Sequence, residues 1–207
     1  PLDNIIHNLI RSYPNSTFEV YAYVDNEEHL AQLSLEPNVV MRAIITDSTY
    51  PEVNRLRSNS QKMFYRMKIL QEIVDGGGGT EHDIAIRIRP DVIFRERVVL
   101  RVSENLSMIP TVSLPVSRYP RAITDIFYFG PPHLLRRLNS IYDSYRLSGC
   151  INPELYLLNY IRAHRLSFSY DCKNVVTLRA HTIDNFNLNL AKQLGTIRIT
   201  LADNGCD

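Results

Sequence analysis

The chain has 207 residues, is 44% hydrophobic and 22% charged, and sets 23 basic against 22 acidic side chains for a net charge of +1. That composition excludes a disordered polyelectrolyte and suits a single domain, residues 1–207, with a core of its own. Near-neutrality removes the broad basic footprint expected of a protein partnered with nucleic acid, and the sequence holds no apolar run long enough for a membrane span.

The three cysteines, Cys150, Cys172 and Cys206, are scattered and odd in number. Without C-x-x-C spacing they predict neither a zinc site nor a disulfide framework, and they point to a reducing, cytoplasmic setting. No signal-peptide pattern is visible, and Pro1 leads straight into a helical pattern, as expected of a chain trimmed at its N-terminus.

Leu2, Ile5, Ile6, Leu9 and Ile10 recur at helical spacing up to Pro14. Phe18 to Val24 reads as a strand ending at Asp25-Asn26, and a short helix follows through Leu30, Leu33 and Leu35. Val39 to Ile45 is a second strand. Residues 46–59 read as a long polar loop carrying Arg55 and Arg57. Ser60 is the expected cap of a helix with Met63, Met67, Leu70 and Val74 on its apolar stripe. The glycines from Gly76 to Gly79 end it; they lack the Lys-Ser/Thr of a phosphate-binding loop and read as a flexible connector.

The next stretch organises the chain. Ile84, Ile86 and Ile88 alternate with Ala85, Arg87 and Arg89, the period of a strand, and Pro90 closes it. Asp91 then falls just past the strand's C-terminal end, where open α/β sheets bind ligands. The ordinary alternative is an edge strand with a solvated basic face and a Pro-Asp turn.

Arg95 to Leu100 and Leu106 to Ile109 predict short strands or a hairpin. Asp125 to Gly130 predicts a buried strand, and Leu134 to Tyr145 one helix. Asn152-Pro153-Glu154 has the cap, the first-turn proline and the acid of a helix start. Leu166 to Tyr170, Val175 to Arg179 and Thr196 to Leu201 read as strands, and 186–194 as a helix. No repeat and no second hydrophobic core is visible. Strands alternating with helices predict an α/β domain with a mixed sheet.

Taken together, Gln61-Lys62 at a helix start, Arg87-Ile88-Arg89-Pro90-Asp91, Asp125 to Gly130 and Asn152-Pro153-Glu154 resemble GT-A type glycosyltransferases that use nucleotide sugars. The similarity is to the branch whose strand ends in Arg-x-Arg-Pro-Asp, which includes the glycosyltransferase domain chlorella viruses use on their capsid protein. It spans residues 1–185. It implies a Rossmann-like GT-A domain with a mixed, mostly parallel sheet flanked by helices. It also implies a nucleotide-diphosphate donor, often a UDP-sugar, and a glycan or glycoprotein acceptor. Two departures stand out: the chain has no Asp-x-Asp, the usual metal-binding signature, and no first strand.

Under this resemblance Asp91 holds a divalent cation, Mn or Mg, or the donor sugar, and His181 is a second metal ligand. Gln61, Lys62, Arg57, Arg87 and Arg89 serve the diphosphate or nucleotide. Asp125 contacts donor or acceptor, and Glu154 is the general base. Each has a plainer reading: a turn carboxylate for Asp91, first-turn polar residues for Gln61 and Lys62, a strand-edge acid for Asp125, dipole stabilisation for Glu154 and a surface histidine for His181. The competing functions are a non-catalytic nucleotide- or carbohydrate-binding module and an RNA-binding protein using Arg118, Tyr119, Arg121, Arg136 and Arg137.

Overall fold

The computed structural model describes residues 2–24, 27–77, 82–89, 92, 94, 96–110, 123–150 and 152–170. Helix α1 (Leu2–Asn8) turns Ile5 and Ile6 inward, and a 3-10 turn at Ile10–Ser12 continues it. A reciprocal pair anchors α1: Asn4 Nδ2 donates to the Phe94 carbonyl at 2.8 Å, and the Phe94 N–H donates to Asn4 Oδ1 at 2.6 Å.

Strand β1 (Phe18–Tyr23) pairs in parallel with β2 (Val39–Ile45). The helix expected between them is two 3-10 turns, Glu27–Leu30 and Leu33–Leu35. Leu30, which ends the first, and Leu33, which begins the second, are both buried. The expected loop at 46–59 contains a further turn, Pro51–Arg55, whose Val53 is wholly buried.

Helix α2 (Asn59–Gly76) is capped by Ser58 rather than Ser60: Ser58 Oγ accepts the Gln61 N–H at 3.1 Å. Strand β3 (Ala85–Ile88) confirms the isoleucine alternation. Arg97 to Leu100 is not a strand; Val98 is instead tied to α1 through its N–H on the Asn8 carbonyl at 2.8 Å. Strands β4 (Leu106–Pro110) and β5 (Ile123–Gly130) follow. The single helix expected next is two, α3 (Pro132–Asn139) and α4 (Tyr142–Ser148). They part where Ser140 Oγ turns back to the Arg136 carbonyl at 2.9 Å. Helix α5 (Pro153–Ala163) and strand β6 (Phe168–Tyr170) complete the described chain.

β5 pairs antiparallel with β3 on one side and β4 on the other, and β4 pairs in parallel with β6. The architecture is α/β with mixed sheets. Among the described residues β1–β2 and β4–β6 are parallel pairs, while β5 runs antiparallel to both its neighbours, β3 and β4. Such a pairing needs no crossover helix.

β5 also divides the interior. Tyr128 packs with Phe64, Leu138, Leu157 and Ile161 on one side, while Phe127 and Phe129 pack with Ile5, Leu9, Phe94 and Val98 on the other. The single core expected from the sequence is thus two apolar clusters, one on each face of the same strand.

Candidate functional site

Tyr21 reaches the C-terminal end of α2, its hydroxyl 3.8 Å from where a Cβ on Gly77 would stand, while Tyr23 lies under Arg66, nearer that helix's start, at 5.2 Å. β1 is therefore antiparallel to α2; β3 follows α2 in the chain, and the approaches to β1 and β3 lie side by side. Their starting ends meet where His82 Nε2 lies 3.3 Å from Glu19 Oε2. A cleft of about 3150 Å³ is lined by both strands and by residues of α1, α2, α3 and the start of α5.

Five of the residues singled out from the sequence line this cleft: Lys62, Arg87, Arg89, Asp125 and Glu154. Arg57 and Gln61 are not on its wall. The Arg57 N–H donates to Gln61 Oε1 at 3.2 Å, so Gln61 folds back over the start of α2 and helps cap it. Asp91 and His181 lie outside the described residues.

Asp125 is buried in β5, and Arg89 Nη1 approaches its Oδ2 to 3.9 Å from the end of β3. That is an ion-pair distance, longer than a hydrogen bond. Nearby, the buried Tyr128 hydroxyl donates to Asn139 Oδ1 at 3.2 Å. Burial pushes the Tyr128 pKa up; Arg87 pulls it down and Asp125 pushes it further up. The chain of contacts continues from Asn139 Nδ2 to Gln71 Oε1 at 3.0 Å and from Gln71 Nε2 to Asp75 Oδ1 at 2.9 Å. Arg136 Nε closes it, 2.9 Å from Asp75 Oδ1. This polar path ties β5, α2 and α3 into a fixed wall behind the cleft. Of the residues of the RNA-binding reading, Arg136 is held by this ion pair, and Arg118, Tyr119 and Arg121 lie outside the described residues.

Arg66 is a site residue that the sequence reading missed. It grips Asp47 in a two-pronged contact, Nε to Oδ1 at 3.1 Å and Nη2 to Oδ2 at 2.6 Å. Burial pushes the Asp47 carboxyl up, but the bonds from Arg66, with help from Tyr23 and Lys62, hold it below its ordinary value. Tyr23 is shifted the other way, up, by its burial and then by Asp47. One signal in the sequence leads here: Lys62 and Arg66 are four apart on a helix, so they share a face, and both line the cleft.

Glu154 sits in the first turn of α5, set there by the Asn152 cap, whose Oδ1 accepts the Leu155 N–H at 2.9 Å, and by Pro153. Among the described residues no three His, Cys, Asp or Glu side chains gather to hold a metal ion. None of the described helices is long and apolar enough to cross a membrane. No protein-family model matches the sequence, and no curated protein matches it either.

Proposed function

We propose that the protein is a glycosyltransferase that moves a sugar from a nucleotide-diphosphate donor, a UDP-sugar, to a hydroxyl on a glycan or glycoprotein. The observation that supports this most is the meeting of Arg89 and Asp125 in a cleft also lined by Lys62, Arg66 and Glu154. Cations and carboxylates are thereby collected in one cleft, with Arg89 just past the C-terminal end of β3, the usual place for a nucleotide ligand in such sheets.

The chemistry asks for both charges. Breaking the anomeric C–O bond to a diphosphate gives an oxocarbenium-like centre and loads negative charge on the leaving phosphate. Lys62, Arg66, Arg87 and Arg89 are the cations that take up that charge. Asp125 orients a sugar hydroxyl. Glu154 accepts the proton of the acceptor hydroxyl as the new C–O bond forms. A divalent cation would be held by Asp91 and His181 and would add positive charge beside the leaving diphosphate.

The test is a screen of nucleotide sugars by thermal stabilisation, with and without Mn²⁺, followed by assay of nucleotide release in the presence of glycan acceptors. Stabilisation by one donor together with release of its nucleotide supports the reading. Saturable binding with no release under any acceptor condition assigns a binding module instead, and no stabilisation by any nucleotide sugar removes both.

A further inference from the structure

Strands β1 and β2 are a parallel pair whose last residues, Tyr23 and Ile45, stand opposite each other. Asp47 follows just past the end of β2, and Arg66 comes to it from the second turn of α2. The contacts hold the Arg66 guanidinium on two sides. Asp47 takes its edge through Nε and Nη2, at 3.1 and 2.6 Å, and the Tyr23 ring lies against its face at 5.2 Å. The cluster thus stands at the C-terminal ends of two parallel strands, where α/β sheets bind ligands. Its members are placed differently, however. Tyr23, Lys62 and Arg66 line the cleft, whereas Asp47 is not on its wall. Seen from the cleft, the carboxylate stands behind the guanidinium.

We propose that Asp47 is a positioning residue for donor binding: it fixes the guanidinium of Arg66 in the cleft wall, where Arg66 receives the diphosphate of the nucleotide. This rests on the glycosyltransferase reading above and adds to it a residue that touches no ligand. A carboxylate in that place has two opposite effects, and their sizes decide between them. Its negative charge repels a diphosphate, which in salted water weakens binding by about threefold. Its grip, on the other hand, removes the freedom of a long side chain before the ligand arrives. Ordering an unheld arginine on binding lowers affinity by up to about thirtyfold. An arginine fixed in advance avoids most of that loss. The grip outweighs the repulsion, so the net effect of Asp47 is tighter binding, exerted wholly through Arg66.

The experiment is a double-mutant cycle, read by calorimetric titration of UDP into the 207-residue chain well below the Tm of the least stable variant. The four proteins are the unaltered chain, Asp47→Asn, Arg66→Ala and the double variant. Asp47→Asn is expected to weaken UDP about tenfold when Arg66 is present and less than about twofold when it is alanine. Arg66→Lys supplies a second background should the alanine variant not fold: lysine keeps the charge but cannot make the two-pronged contact, so Asp47→Asn should again cost less than about threefold. Equal losses with and without Arg66 would overturn the inference. So would unchanged affinity with a lowered Tm, which leaves Asp47 a structural role only. Tighter binding by Asp47→Asn would also overturn it, since the carboxylate would then compete with the ligand for Arg66. An unaltered chain that binds UDP without this coupling fails the inference alone. One that binds no UDP fails the glycosyltransferase reading and takes the inference with it.

Discussion

Arg89 and Asp125 come from adjacent strands and approach to 3.9 Å, with the carboxylate almost fully buried and the guanidinium about a quarter exposed. Neither residue is close to the other in sequence; the antiparallel register of β3 and β5, with Ile88 opposite Phe127, brings them together. Asp125→Asn removes the charge and keeps the shape. We expect a loss of about 1–3 kcal/mol in urea unfolding, less than for a wholly enclosed pair because water reaches Arg89. We also expect transfer to fall by more than the stability loss explains. Unchanged turnover in a folded Asp125→Asn protein would take Asp125 out of the site.

Lys62 and Arg66 share a face of α2 and line the cleft, but only Arg66 has a two-pronged ionic partner, Asp47. The two should therefore separate experimentally. Lys62→Ala is expected to weaken binding of a nucleoside diphosphate about tenfold with Tm unchanged. Arg66→Ala is expected to weaken binding and also to lower stability by about 1–2 kcal/mol, because it releases Asp47. Calorimetric titration at two salt concentrations checks the first effect, since a phosphate contact loses strength as ionic strength rises.

The same pair sets a pH dependence. The folded-state pKa of Asp47 is held below its unfolded value of about 4. Its contribution is complete above that unfolded value and is lost as the pH falls through the folded one. At the alkaline end Tyr23 and Tyr128 have raised pKa values, so their contribution is complete below the unfolded tyrosine value of about 10 and declines as the pH rises toward the folded ones. Urea midpoints measured from pH 2 to 11 should show a plateau with both shoulders. Asp47→Asn should flatten the acid shoulder and leave the alkaline one in place.

Local patterns carried far in this chain. The isoleucine alternation located β3, the aromatic run located β5, and Asn152-Pro153-Glu154 located α5 to the residue. These signals are local, and burial and capping enforce them. What the sequence hid depends on partners distant along the chain. The direction of β5 against β3 and β4 is set by tertiary pairing, which no local pattern carries. The break between α3 and α4 falls at Ser140, whose hydroxyl bonds back to the Arg136 carbonyl, a contact that no apolar period shows. Arg66 looked like an ordinary helix residue until Asp47, nineteen positions earlier, was seen to meet it.

Gly130 ends β5 opposite Ala85 with a φ of +153°. A Cβ there would stand 2.9 Å from the Asn105 carbonyl oxygen and 3.0 Å from Leu106 Cα. Both are backbone atoms at the start of β4 and cannot swing aside as a flexible side chain would. Gly130→Ala is expected to cost about 2–4 kcal/mol in chemical unfolding, from the unfavourable φ and the contact together. Gly149, also at positive φ but with open space around it, is the comparison: Gly149→Ala meets only the backbone penalty, about 1 kcal/mol. Equal losses for the two would show that the β4 contact does not matter.

Glu154 has two physical uses, and one pair of substitutions separates them. At the first turn of α5 a carboxylate stabilises the helix by about 0.3–1 kcal/mol through the dipole. As a base in the cleft it would be worth about a hundredfold or more in rate. Glu154→Gln keeps the size, removes the charge and removes the proton acceptor. The expected result is transfer reduced at least a hundredfold, donor affinity by calorimetry unchanged, and Tm lowered by no more than about 4 °C. Asn152→Ala acts on the other use alone: it deletes the bond to the Leu155 N–H and should cost about 1 kcal/mol of stability. Its transfer rate should fall no more than fraying of α5 explains. If both variants lose transfer in proportion to their loss of Tm, Glu154 is a helix-start acid and the base lies elsewhere in the cleft. A Glu154→Gln protein that is folded, binds donor and does not turn over leaves proton acceptance as the role of that carboxylate.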